Sequence, residues 1–212
     1  MTTALSNMSS GAAMLSIEPA SAWDVLFFVN EVFAGAAAGH FSQDSRSSRA
    51  HMTLALRCCK AIIGRKVFRK SDDLQFVVAR SGKDTIGAAL ASSTPNEDGK
   101  PTTTLEYVVV DARFRRGGIG AALVQHFVDA GTCVQCWCTP KSTQMQTLLR
   151  KLRFKRLQKA TSTRLGEAHV VSPALWQWSA DDVSPHIGAR IRRVTSLIST
   201  QRKLREGLQQ TL

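Results

Sequence analysis

Along the 212-residue chain the spacing of apolar positions alternates between two residues and three to four, so strands and helices are expected to follow one another. Residues 1–11 are small and polar and read as a loose terminus. Residues 12–17 read as a first strand. Ser21 then starts a helix in which Trp23, Leu26, Phe27, Val29 and Phe33 keep roughly helical spacing, ending between Gly35 and Gly39. A second helix is expected over residues 47–63, with Met52, Ala55, Leu56, Cys59, Ile62 and Ile63 on its inward face and Gly64 as its cap. Residues 74–79 and 85–91 read as two strands of a hairpin turning at Ser81-Gly82-Lys83-Asp84, and residues 92–100 as a loop. Residues 102–111 form the next expected strand. A helix over residues 118–130 follows, with Ile119, Ala122, Leu123, His126 and Phe127 on one stripe. Then come a strand at 133–138, a helix at 142–152 carrying Met145, Leu148, Leu149 and Leu152, and two last strands at 153–163 and 168–178. The order is βααβββαβαββ, a mixed α/β (α+β) fold.

One junction in this pattern carries chemistry. The apolar run Leu105–Val110 enters a short basic, glycine-rich turn, Arg113 to Gly118, and a helix begins at once. The first N–H groups of a helix lack internal partners, and the helix dipole adds partial positive charge there. Gly117, Gly118 and Gly120 keep side chains out of the way of a ligand approaching those amides, and Arg115 and Arg116 add charge beside them. The stretch is built for phosphate, with pyrophosphate the best fit. A Walker A loop is excluded, because no Gly-Lys-Ser/Thr follows. A dinucleotide fingerprint is incomplete, because Leu123 stands where the third glycine belongs.

The run Arg115-Arg116-Gly117-Gly118-Ile119-Gly120 resembles the signature of the GNAT superfamily of acyl-CoA-dependent N-acetyltransferases, Arg/Gln-x-x-Gly-x-Gly/Ala. Val110-Asp111-Ala112-Arg113-Phe114 sits where members often have Val-x-Pro-x-Tyr, and the expected element order over residues 12–178 is that of the family. The resemblance implies a splayed central sheet of about seven strands flanked by about four helices. It implies acetyl-CoA as co-substrate, with no metal. Its pantetheine arm would lie along Val108, Val109 and Val110, and its pyrophosphate on the amides of Arg116, Gly117, Gly118, Ile119, Gly120 and Ala121, beside Arg115. It also implies direct transfer of the acyl group to an amine.

Such a transfer needs a neutral amine, a donor to the oxyanion and a proton for the leaving thiolate. Glu106 is the candidate base. Strand alternation would place it on the same face as Val108 and Val110, with Tyr107 opposite. The competing reading is a strand-end carboxylate in water or paired with an arginine. The family's usual acid, a tyrosine on the fourth helix, is replaced by Leu149, its asparagine by Ser142 and its glycine by Arg153, while Phe154 is kept. Cys138, Thr139 and Ser142 are the nearest alternative donors by order, with water as the other route. His40, after the first helix, is a further candidate near the acceptor. His126 reads as a core residue.

Five cysteines, Cys58, Cys59, Cys133, Cys136 and Cys138, are expected to be reduced thiols. The last three read as buried small hydrophobes rather than metal ligands. With no apolar run of 18 residues and no basic, apolar leader, no membrane partner is expected and the location is expected to be cytoplasmic. Net charge is +12, and residues 141–212 carry +10 of it. An anionic partner fits this, whether CoA itself, nucleic acid or an acidic protein. Residues 12–180 are expected to form the domain and 181–212 a basic extension. In that extension Ile187, Ile191, Val194, Leu197 and Leu208 give a partly apolar helix, suited to packing on its own domain, to a homodimer or to nucleic acid.

Overall fold

The computed structural model describes residues 15–41, 47–68, 74–95, 99, 101–131, 133–159, 161–165 and 168–182. The loose terminus expected over 1–11 and the terminal helix expected from 187 onward lie outside the described residues. Nine strands and four helices are described: β1 (Leu15–Pro19), α1 (Asp24–Ala37), α2 (Ser48–Phe68), β2 (Leu74–Ser81), β3 (Asp84–Pro95), β4 (Pro101–Val110), α3 (Ile119–Ala130), β5 (Cys133–Cys138), α4 (Thr143–Lys151), β6 (Lys155–Gln158), β7 (Thr161–Leu165), β8 (Ala168–Ser172) and β9 (Ala174–Ser179). Seven strands form one sheet in the order β1-β2-β3-β4-β5-β9-β6, and β7 and β8 pair apart as a hairpin. Each of the two expected last strands is broken in two, the second at Pro173, whose missing N–H ends the ladder there.

Every pairing in the large sheet is antiparallel except β4 with β5. That exception follows from α3, which crosses from the end of β4 back to the start of β5. The two faces of the sheet carry separate cores. On one, α3 and α4 pack Ile119, Leu123, Phe127 and Leu149 against Val77, Ala89, Leu105 and Val134. On the other, α1 and α2 pack Phe28, Val32, Leu54 and Cys58 against Phe76, Val78, Leu90 and Val109.

The second helix turns a different face inward from the one expected. Leu54, Cys58, Ala61 and Ile62 are buried, at i, i+4, i+7 and i+8. Met52, Leu56, Cys59 and Ile63 point outward instead. The helix has two apolar stripes, and only tertiary packing chooses between them. Gly64 does not end it; α2 runs through this buried glycine to Phe68. By contrast α1 ends at Ala37, inside the Gly35–Gly39 stretch expected to stop it.

The end of α4 shows how a substituted glycine is accommodated. The Phe154 N–H bonds to the Leu149 carbonyl and the Arg153 N–H to the Arg150 carbonyl, the pattern of a Schellman turn. The left-handed position falls on Arg153, at φ +65°. The Leu149–Phe154 contact beneath it is the apolar clasp such turns commonly have, with both side chains buried.

Candidate active site

The site begins with one extra residue. Tyr107 of β4 pairs with Leu90 of β3, but Leu105 pairs with Ala91, so Glu106 has no opposite number. This is a β-bulge, and it changes which face the side chain takes. Alternation put Glu106 beside Val108 and Val110. In the structure those two valines pack on the α3 side, while Glu106 faces α2 and accepts from Arg57 Nη2 at 2.5 Å. Tyr107 lies on the α1–α2 side, in ring contact with Phe28 and Phe41. The carboxylate bonded to it pushes the Arg57 guanidinium up from its ordinary value.

At the same residue the sheet opens. The pairing of β4 with β5 runs from Thr102 to Leu105 against Cys133 to Cys136. Beyond that, Trp137 and Cys138 of β5 pair with Leu175 and Ala174 of β9. The edge of β4 from Glu106 to Val110 therefore looks into a cavity of about 780 Å³. Leu105, Glu106, Val108, Val109 and Val110 form one wall; Cys136, Trp137 and Cys138 form the other.

The glycine turn closes one end. Asp111 accepts from the Arg113 N–H at 2.9 Å and caps a single 3-10 turn, Ala112–Phe114. Arg116 at φ +69° and Gly118 at φ +80° then take left-handed conformations, and α3 starts at Ile119. Such a sequence of turns aims successive N–H groups to one side. Gly120 is in the first turn of α3, and a Cβ there would meet nothing nearer than Leu148 Cδ2 at 3.6 Å. Neither packing nor backbone strain demands glycine at 120, so the reason lies in the cavity that it lines. Arg115, Arg116, Gly118, Ile119, Gly120 and Ala121 all line it, and Arg115 Nε donates to the Val110 carbonyl at 3.1 Å. A glycine-cleared helix N-terminus flanked by two arginines fits a pyrophosphate, and an unpaired strand edge beside it fits the amide groups of a pantetheine arm.

The opposite end holds Glu106, Gly35, His40, Phe41 and Trp137. The Phe41 ring lies on Gly35 so closely that a Cβ there would sit 2.6 Å from it. Two hydroxyls tie this end to the far wall. Ser142 Oγ donates to the His40 carbonyl at 2.7 Å, and Thr139 Oγ1 bonds to Ser142 Oγ at 2.9 Å and donates toward the Gly39 carbonyl at 3.1 Å. Cys138 is buried, its sulfur 3.9 Å from that of Cys136, and burial together with this neighbour pushes the Cys136 thiol well up. Among the described residues no cluster of His, Cys, Asp and Glu could hold a metal ion. Leu149, at the place of the family's tyrosine, is fully buried.

Sequence reasoning passed over Glu31, Phe41, Trp137 and Arg57. Glu31 had a visible signal, as the lone carboxylate in the apolar stretch Val25–Ala37. It faces the cavity 3.6 Å from Arg115, and burial pushes its carboxyl up against the pull of that arginine. The other three reach the site through tertiary packing alone.

A bulged central strand, a parted parallel neighbour and a glycine-turn helix N-terminus together define a coenzyme A-dependent acyl transferase. The sequence matches the Acetyltransferase (GNAT) family over residues 41–154, more than half of the chain, and the protein belongs to that family. It is thus an acetyltransferase, with acetyl-CoA as co-substrate. No curated protein matches its sequence. Among solved structures it is similar to an acetyltransferase of the GNAT family from Streptococcus pneumoniae, with 13% identity, a TM-score of 0.56, and 78% of this chain and 99% of that one covered. It is similar to a ribosomal-protein-alanine N-acetyltransferase from Brucella melitensis at 14% identity and TM-score 0.58, covering 77% and 99%. A phosphinothricin acetyltransferase from Sinorhizobium meliloti, solved with acetyl-CoA, gives 18% identity and TM-score 0.58, covering 78% and 88%. At these identities the likeness is one of fold.

Proposed function

We propose that the protein acetylates a primary amine by direct attack within a ternary complex, with Glu106 taking the amine proton. The observation that carries this reading is the bulge, which opens the cofactor slot and puts a carboxylate at its inner end in a single step. Acetyl-CoA supplies the activated acyl carbon. The amides at the start of α3, with Arg115 and Arg116, hold its phosphates, and the β4 edge at Val108–Val110 orients its arm. Arg57 fixes Glu106 through Oε1, leaving the carboxylate held at the cavity wall. Leu149 offers no proton, Ser142 Oγ is committed to the His40 carbonyl, and Cys138 is buried, so water protonates the departing thiolate.

Glu106→Gln keeps the shape and loses the base. Turnover is expected to fall about 100-fold at neutral pH, with the KM for acetyl-CoA unchanged and part of the rate returning at high pH as the free amine deprotonates. Wild-type turnover across the pH range would strip Glu106 of this role. Glu31 is the second reading, favoured by its place in the same cavity and its raised pKa. In that case Glu31→Gln, not Glu106→Gln, would remove the rate.

The acceptor we infer is anionic or macromolecular, from nucleic acid to an acidic protein. The basic excess beyond residue 140 supports this, with Lys151 on the cavity wall. Labelled acetyl transfer to a panel of amines and to cell extract, followed by mass spectrometry of the products, identifies it. Binding of CoA or nucleic acid without any transfer would instead leave a binding module.

A further inference from the structure

The layer of α1 and α2 is apolar on both sides. Its inner side covers the sheet. On its outer side Trp23 is 91% exposed, Leu26 70%, Met52 64% and Leu56 62%, with Phe33 and Ile63 also exposed. The spacing makes a stripe on each helix. Leu26 and Phe33 lie about a third of a turn round α1 from the buried Phe28, Val32 and Ala36. Met52, Leu56 and Ile63 lie half a turn away from Leu54, Cys58 and Ala61 on α2. The Phe33 ring meets His51 on the inward side of α2 at 4.1 Å, so Phe33 sits where the two helices meet. α1 is apolar apart from Asp24, Asn30 and Glu31, and a helix apolar nearly all round ordinarily has something on every side. These side chains leave on the order of several hundred Å² of apolar surface in water, the scale at which a patch marks an interaction.

The charge beside the patch is of one sign. Arg49 and Lys60 of α2 are exposed beside the outer stripe, and α2 contains no Asp or Glu at all. The two acids of α1 turn inward, with Asp24 bonded to Arg80 and Glu31 facing Arg115. A second copy docked through this face would bring two basic rims together, without a carboxylate on either helix face to pair them. Nor is the patch a slot that grips a peptide, since Trp23 and Leu26 stand out from it. Protruding Trp and Leu with arginine and lysine at the rim are the features of a surface that rests in a lipid headgroup layer.

We propose that the outer face of α1 and α2 docks on an anionic lipid surface, with Trp23, Leu26, Met52 and Leu56 inserted and Arg49 and Lys60 against the headgroups. This departs from the expectation of no membrane partner, which rested on the absence of a long apolar run. Among the described residues no helix is long and apolar enough to cross a membrane, and docking requires none.

The test is co-sedimentation of the full chain with phosphatidylcholine vesicles, with and without phosphatidylserine. Binding is expected with phosphatidylserine, weakened by salt, with tryptophan emission shifted to the blue and quenched by brominated lipid, a change that Trp23→Phe removes. Leu26→Ser with Leu56→Ser should cut partitioning at least tenfold while circular dichroism and acetyl transfer hold. Full-chain protein that stays in the supernatant overturns the proposal. So does binding that survives the double substitution, which would move the contact to another part of the chain. A dimer that the same double substitution converts to monomer, without vesicle binding, would assign the face to a second copy.

Discussion

Two residues outside the reaction show how local physics sets stability. Asp24 is 2% exposed and accepts from Arg80, Thr85 and Ser21. Burial pushes its carboxyl up, but the bonds from Thr85 and Ser21 with the charge of Arg80 outweigh that, so its pKa lies below the ordinary value. A carboxyl depressed in the folded state adds stability that is complete above its unfolded pKa of about 3.9 and is lost as pH falls through the folded value. Asp24→Ala removes the charged acceptor of Arg80 Nη2, Thr85 and Ser21, while Glu18 still pairs Arg80, and is expected to cost about 2 kcal/mol at pH 7. The loss should shrink below about pH 4, where the wild type forfeits the same contribution. Urea unfolding at pH 7 and pH 3 checks both, and an equal loss at the two pH values would contradict it. Arg153 is the converse case. A left-handed conformation costs an L-residue about 1–2 kcal/mol, and glycine gives some of the relief back in unfolded-chain entropy. Arg153→Gly is therefore expected to raise stability by about 0.5–1 kcal/mol, seen as a higher Tm; a lower Tm would mean that the arginine side chain is needed there.

At the scale of elements, the strand–turn–helix around Gly118 was legible in the sequence because it is local. The strand, the turn residues and the helix stripe are contiguous, and their chemistry follows from helix-end geometry alone. The strand at Cys133–Cys138 and the hairpin at Gly82 were legible for the same reason. The inward face of α2 was not, because Met52–Leu56–Ile63 and Leu54–Cys58–Ile62 are equally regular and the choice between them is made by the sheet. The face taken by Glu106 was not legible either, because the bulge is a property of β4 against β3 and leaves no mark in β4 itself. The loop leads to a direct test. Gly120→Asp has room beside Leu148 and Val110, so the fold should hold. A carboxylate at the phosphate end should weaken acetyl-CoA binding at least tenfold, about 1.4 kcal/mol. Calorimetry that finds a folded variant with unchanged affinity would take the loop out of the site.

Across the whole molecule, the slot divides the sheet, and contacts across it are what fix its width. The bonds of Ser142 and Thr139 to the Gly39 and His40 carbonyls join the end of α1 to the start of α4, about a hundred residues apart in the chain. They set where Phe41 and His40 stand on the cavity wall, the end proposed for the acceptor. Ser142→Ala is expected to raise the KM for the amine roughly fivefold, the equivalent of about 1 kcal/mol for one hydrogen bond. The KM for acetyl-CoA should change little, and Ser142→Thr should restore the amine KM. A fall in turnover with no change in either KM would point instead to a proton-donating hydroxyl. The bulge at Glu106 works on the same scale by a different route. One inserted residue throws the rest of β4 out of phase with its neighbours. That single offset swings a carboxylate toward one helix layer and parts the strands facing the other. The cofactor cleft and the place of this carboxylate thus depend on the same inserted residue. Deleting the extra residue would disturb both at once, where a side-chain change such as Glu106→Gln reaches only one.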